Sequence, residues 1–204
     1  MADASTADHG RVPARSGSIT LVRHGEPAIS RKVRFNARSY GQWWTEAYEP
    51  GSLRPGQKPP AELIEAAARA GVIIASTRVR SIESATLLAG GRAFAQDPLF
   101  IEAPLPGPPW PTWVKLSPKM WGFWSRFWWW FLDHHDGQEN RKQAEQRADE
   151  AAAVLEGFAD AGQDVMLVAH GFFNVMIGRA LAKRRWRKVS DGGFRYWNAK
   201  RYQR

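Results

Sequence analysis

Ile19-Thr20-Leu21-Val22-Arg23-His24-Gly25-Glu26 is the stretch whose reading decides the fold. A short run of strand-forming residues leads straight into an arginine and a histidine, then a glycine, then a carboxylate. An apolar run bounded in this way reads as a buried strand of a parallel sheet. Ligands of open α/β sheets bind beyond the carboxyl ends of the strands, which is where Arg23 and His24 are delivered. The pattern returns far along the chain as Val165-Met166-Leu167-Val168-Ala169, followed by His170-Gly171 and an apolar helix over 172–182. Two strand-end histidines, each with glycine behind it, point to one shared site for an anion.

Between the two histidine segments, Pro59 and Pro60 open a helix over 61–70 and Gly71 stops it. Val72-Ile73-Ile74-Ala75 then reads as a second buried strand, so the unit is a strand–helix–strand crossover, right-handed by the general rule. Ser76-Thr77-Arg78-Val79-Arg80 leads into a helix ending near Gly90-Gly91. Pro98-Leu99-Phe100-Ile101 reads as a third short strand or extended piece, with Glu102 behind it. A long helix is expected from Gly137-Gln138-Glu139 to about Gly162, with Ala144, Ala148, Ala151, Ala152 and Leu155 on its apolar stripe. The segment 27–60 is irregular, basic and aromatic.

The residues 21–26 resemble the Arg-His-Gly signature of the histidine phosphatase superfamily, the phosphoglycerate-mutase-like proteins. Val168-Ala169-His170-Gly171 resembles that family's second histidine motif. The resemblance implies an α/β fold: a three-layer αβα sandwich with a mostly parallel central sheet, helices on both faces and, in this chain, an aromatic-rich helical lid insertion over 104–136. It also implies a phosphate-binding arginine at a helix start. Arg80 falls on that position, with Glu83 and Ala85 on theirs and Ser84 where threonine is usual; Arg78, also near the strand end, competes with it. A proton-donating carboxylate is implied after the segment 98–101, which selects Glu102. Gly137-x-Glu139, with Arg147 further along, resembles a helix start common in the family.

Composition bounds the rest. A chain of 204 residues suits one domain, expected over 18–204 after a small, polar, charged tail at 1–17 that has no apolar core of a signal peptide and reads as disordered. The absence of cysteine excludes disulfides and thiolate metal sites and suits a cytoplasmic location. A net charge of +9 points to anionic partners. Ten of the last 26 residues are Lys or Arg, which reads as a solvated cationic face rather than a nucleic-acid site. Seven of the eleven tryptophans fall within 110–131, with Trp121, Trp124, Trp128 and Phe131 spaced as one helical face. That segment is either a lid packed on the domain or an apolar surface for a hydrophobic substrate, a membrane or a partner. Asp133-His134-His135-Asp136 has the residue types of a metal site, but four adjacent side chains cannot converge from one extended segment, so it reads as a turn and no metal or cofactor is expected. The oligomeric state is open, a dimer included.

The chemistry then follows from Arg23, His24, Arg80 and His170 meeting around one phosphoryl group, with Gly25 beside them. Two guanidiniums grip its oxygens through paired, charge-assisted hydrogen bonds. Their field disfavours protonation of His24 and leaves a ring nitrogen free to attack phosphorus, giving a phosphohistidine intermediate. His170 as a cation donates to the oxygens, and Glu102, required to be protonated through partial burial, gives its proton to the leaving alkoxide. The expected activity is metal-independent phosphatase hydrolysis. Phosphoglycerate-mutase-type transfer is the alternative, but Glu26 is followed by Pro27-Ala28-Ile29 and the nearest asparagine is Asn36. A non-catalytic phosphate-ligand or membrane-binding module is the other. The tryptophans suggest a phosphate or diphosphate ester with an apolar body, such as an isoprenoid or lipid phosphate.

Overall fold

The computed structural model describes residues 16–204. The expected tail therefore lies outside the described residues, apart from its end, where the Gly17 amide donates to the Ala159 carbonyl at 2.7 Å. Six strands form one sheet: β1 (Ile19–Arg23), β2 (Val72–Ser76), β3 (Ala95–Asp97), β4 (Val165–Ala169), β5 (Arg187–Asp191) and β6 (Ala199–Gln203). Their order is β3-β2-β4-β1-β6-β5, with the first four parallel and the β5–β6 hairpin joined antiparallel to β1. The helices are α1 (Ala37–Trp43), α2 (Ala61–Arg69), α3 (Val79–Ala89), α4 (Pro118–Leu132), α5 (Arg141–Asp160) and α6 (Gly171–Lys183).

Side chains alternate across each central strand, and this alternation builds two apolar layers. Ile19 and Leu21 of β1, Ile74 of β2 and Val165, Leu167 and Ala169 of β4 face α5 and α6. Val22, Ile73, Ala75, Met166 and Val168 face α2 and α3. The sheet is thus covered by helices on both faces, as expected for a mostly parallel sheet. The alanine stripe of α5 is fully buried against the first layer, and small side chains there let α5 and α6 lie close on the strands.

Several expectations shift. The strand anticipated at 98–101 lies earlier, at Ala95–Asp97, because the Asp97 side chain accepts the Leu99 amide and Pro98 sets the first position of a single 3₁₀ turn. The long helix starts at Arg141 instead of Gly137, where Asn140 and Gln143 form a reciprocal capping box. The irregular stretch 27–60 contains α1 and a π-helical turn at Trp44–Tyr48. The basic end is a hairpin, and part of its charge is paired. Arg184 binds Asp149 and Glu156, each at 2.9 Å, and Arg204 reaches Glu156 and Asp160, so the terminus is tied to α5.

The buried face of α4 also differs from the one its tryptophan spacing suggests. Pro118, Trp121, Gly122, Ser125 and Trp129 are buried, whereas Phe131 is exposed and Trp124 and Trp128 are half-buried. Gly122 and Ser125 are small enough for the helix to approach α1, and Trp121 stacks on Tyr40 with ring centroids 5.8 Å apart. Trp129 is fully buried and its indole N–H donates to the Glu139 carbonyl at 3.0 Å. Among the described residues no helix is long and apolar enough to cross a membrane. Truncating Trp129 to alanine is expected to cost about 3–5 kcal/mol in urea unfolding. Phe127→Ala, on the opposite side of α4, should stay within about 0.5 kcal/mol.

Candidate active site

The pairing register of β1 and β4 places the two histidines together. Arg23 pairs with Ala169, so His24 and His170 are the next residues on adjacent parallel strands, and the His24 amide donates to the Ala169 carbonyl at 3.0 Å. Their rings meet edge to face with centroids 5.2 Å apart. On the far side of β4, β2 ends at Ser76, whose hydroxyl lies 2.9 Å from His170 Nε2. Close approach marks both glycines of the histidine motifs, severely at Gly25 and only tightly at Gly171, where the neighbour is a side chain. A Cβ on Gly25 would sit 2.4 Å from the Trp197 ring, and one on Gly171 would meet the Arg23 Nε at 3.1 Å.

His24 has a defined tautomer. Its Nδ1–H donates to the Gly25 carbonyl at 2.7 Å, which leaves Nε2 as an acceptor for Arg80 Nε–H at 3.1 Å. Arg80 is buried and also donates through Nη1 to the Tyr48 and Glu49 carbonyls at 2.9 and 2.8 Å. Of the two arginines at the start of α3, Arg80 reaches the histidines, while Arg78 is engaged by Glu49 at 3.0 Å. Gly25, expected to face the phosphate, instead gives its amide to Ser84 Oγ at 2.9 Å. Ser84 in turn donates to the Arg80 carbonyl at 2.6 Å, so it couples the first histidine motif to the arginine helix.

Glu102 lies at the amino end of α6 and accepts the Phe173 amide at 2.8 Å. The chain that carries it is held by Arg147, which pairs with both carboxylate oxygens of Glu139 at 2.7 Å and donates to the Leu99 and Ile101 carbonyls at 2.8 and 2.9 Å. Arg147 thereby positions Glu102 through its supporting backbone. His24, Arg23, Arg80 and Glu102 line one cavity of about 380 Å³, and His170 lies fully buried behind them. The same cavity is lined by Arg31, Lys119 and Arg126, giving five cationic side chains against one carboxylate. Such a charge excess draws anions.

Other members of the site had no signal in the sequence motifs. The loop between β5 and β6 folds over it: Arg23 stacks on Tyr196 at 4.4 Å and donates to the Phe194 carbonyl, and Tyr196 lies 5.7 Å from His24. Arg31 donates to the Tyr48 hydroxyl at 2.6 Å. The run Phe194-x-Tyr196-Trp197 after Gly192-Gly193 is the feature that marks this loop, although its position beside the strand end depends on the hairpin. His134, from the segment weighed as a metal site, bonds through Nε2 to the Gly107 carbonyl at 3.0 Å. Among the described residues no group of three or more His, Cys, Asp or Glu side chains converges as a metal site.

Burial, and then the Arg80 charge, hold both imidazoles well below the ordinary histidine value of 6.5. The cationic His170 assumed from the motif is therefore disfavoured by its own surroundings, and both rings are neutral at neutral pH.

No family model matches the chain, and no curated protein does. Similar solved structures include a mycobacterial glucosyl-3-phosphoglycerate phosphatase, 19% identical over 83% of this chain and 81% of that one, with a TM-score of 0.51. A phosphoserine phosphatase variant from Entamoeba histolytica in complex with phosphoserine is 13% identical over 90% and 93%, with a TM-score of 0.53. An open-reading-frame product of Mycobacterium tuberculosis is 22% identical over 83% and 80%, with a TM-score of 0.50. The likeness is one of fold.

The neutral pair has a consequence for stability. Unfolded, each ring takes a proton near 6.5, whereas folded it resists one, so the unfolded chain binds more protons below that pH. The stabilisation is complete above 6.5 and is lost as the pH falls. Stepwise urea titrations should show stability dropping below that pH with a slope approaching about 1.4 kcal/mol per pH unit for each ring. His24→Asn should remove about half of that slope.

Proposed function

We propose, from the histidine phosphatase fold as premise, that this chain is a phosphoric ester hydrolase acting through a phosphohistidine on His24. The observation that carries the reading is His24 Nε2, held as an unprotonated nitrogen beside Arg80 at the wall of a cationic cavity that also holds Glu102. A phosphoryl oxygen arriving at Arg80 takes over its Nε–H and releases the His24 lone pair for attack. Nε2 then bonds to phosphorus as the phosphorus–oxygen bond to the leaving group breaks, and Glu102 delivers the proton to the departing alkoxide. In the second half Glu102 takes a proton from water, which attacks the phosphohistidine and returns His24 with inorganic phosphate. Arg23 and Arg80 bind the equatorial oxygens. The phosphoryl dianion opposes the forces that keep His170 neutral, favouring its imidazolium as charge develops.

The lining supports a substrate with an apolar body and one or two phosphates. Trp43, Trp44, Tyr48, Phe172 and Phe194 supply aromatic wall around the cations. Trp44 and Glu102 also border a second cavity of about 1160 Å³, in which one apolar strip of Leu105, Pro106, Pro108 and Trp110 faces polar wall that includes Arg38, Glu46, Glu49 and Arg78. The phosphate is bound at the histidines and the apolar portion extends past Trp44 toward these prolines.

A phosphate-release screen should show prenyl or lipid phosphates and diphosphates turned over with higher kcat/KM than short sugar phosphates; the reverse order would remove the apolar-body assignment. With a labelled substrate and an alkaline denaturing quench, label should remain on the wild-type protein and be absent from His24→Ala. Arg80→Lys should lower kcat by about 10²–10³-fold, and Glu102→Gln by about 10²–10⁴-fold. Retention of full turnover in His24→Ala would sink the covalent mechanism.

A further inference from the structure

The helix α4 has two apolar faces, and among the described residues only one of them is covered. At about 100° per residue, Pro118, Trp121, Gly122, Ser125 and Trp129 share the face packed on the protein. Met120, Phe123, Phe127 and Phe131 share the opposite face and are 41–67% exposed, with Trp113 at 79% exposure just ahead of the helix. A helix that is apolar all round belongs in an apolar medium. Among the described residues nothing covers the outer half.

Charge decides what covers it. Across 110–132 the ionisable side chains are Lys115, Lys119 and Arg126, and the first carboxylate, Asp133, lies past the helix end. Lys119 and Arg126 fall on one flank of the helix, between the buried and outer faces. We propose that the outer face of α4 seats in the surface of an anionic lipid bilayer, with Met120, Phe123, Phe127 and Phe131 in the acyl boundary and the lysines among the headgroups. This is the amphipathic arrangement of an interfacial helix lying in the membrane plane. A second copy fits less well, because a two-fold contact through this face brings like cations together. A protein partner would find almost no hydrogen-bonding groups there, whereas ordinary interfaces carry roughly one hydrogen bond per 100–200 Å².

Seating has a consequence for the site. Pro118, Lys119, Gly122 and Arg126 of the same helix line the cavity that holds His24. Docking through the neighbouring face brings that cavity next to the headgroup layer. The docking itself does not rest on the hydrolytic reading, and the two are separable by experiment.

The test is flotation of the full chain with phosphatidylcholine vesicles with and without phosphatidylglycerol. Wild type and His24→Ala should bind the anionic vesicles alike and the neutral ones weakly, and added salt should weaken the anionic binding. The triple variant Phe123→Ser/Phe127→Ser/Phe131→Ser should keep the wild-type melting temperature and its turnover of a water-soluble phosphate ester. Its partitioning into anionic vesicles should fall about tenfold or more. No binding by the wild type, equal binding to neutral vesicles, or undiminished binding by the triple variant would overturn the proposal. So would a wild-type dimer in sedimentation that the triple variant converts to monomer, which would make this face a contact between copies.

Discussion

Parallel pairing of β1 with β4, in the register that sets Arg23 against Ala169, is the constraint on which the site depends. It places His24 and His170 at equivalent positions one residue past two neighbouring strands. A slip of one residue would separate the rings and exchange the faces of β1, sending Ile19 and Leu21 from the α5–α6 layer to the α2–α3 layer. The hydrophobic alternation of the strands therefore enforces the geometry of the polar site. Burial on both faces stabilises one register, and the chemistry is attached to its end.

Around that junction the structure resolves a difficult electrostatic problem by hydrogen bonding. Arg80 is a buried cation beside two imidazoles, and its N–H groups are directed at two backbone carbonyls and His24 Nε2. Keeping both imidazoles neutral avoids three neighbouring positive charges in a desolvated region. Glu102 is oriented at the amino end of α6 by the Phe173 amide. Its approach depends on Arg147, which grips the backbone on either side of Phe100 and is itself aligned by Glu139. The site is thus assembled from backbone carbonyls and amides as much as from side chains.

The helix α4 joins this site to the outer surface. Its buried face packs through Trp121 and Trp129, its flank supplies Lys119 and Arg126 to the cavity, and its outer face is apolar and, among the described residues, exposed. Gly122 and Ser125 make this possible, since larger residues there would hold the helix away from α1. The tryptophans that stand out in the sequence do not all share one role: Trp129 is core, while Trp110, Trp124 and Trp128 form an aromatic cluster at the helix edge.

From the residues alone, the central strands, the crossover helices and the placement of both histidines at strand ends were legible, because period-two burial and glycine- or proline-bounded runs are local patterns. Arg80 and Glu102 were reachable only through the resemblance to the histidine phosphatase motifs, not through periodicity, and both line the cavity with His24. The β5–β6 hairpin, Tyr196 and Arg31 were not legible. The basic strands of the hairpin, β5 exposed and β6 mostly half-buried, carry no apolar alternation, and a loop brought to the site from the end of the chain has no sequence neighbour there. The outer face of α4 was equally hidden, since a helix rich in aromatics on every side does not reveal which side is covered. The amino-acid order by itself determined the sheet and the groups delivered to its edge. Tertiary structure alone decided which of those groups meet, because long-range packing and charge burial depend on what lies opposite in space.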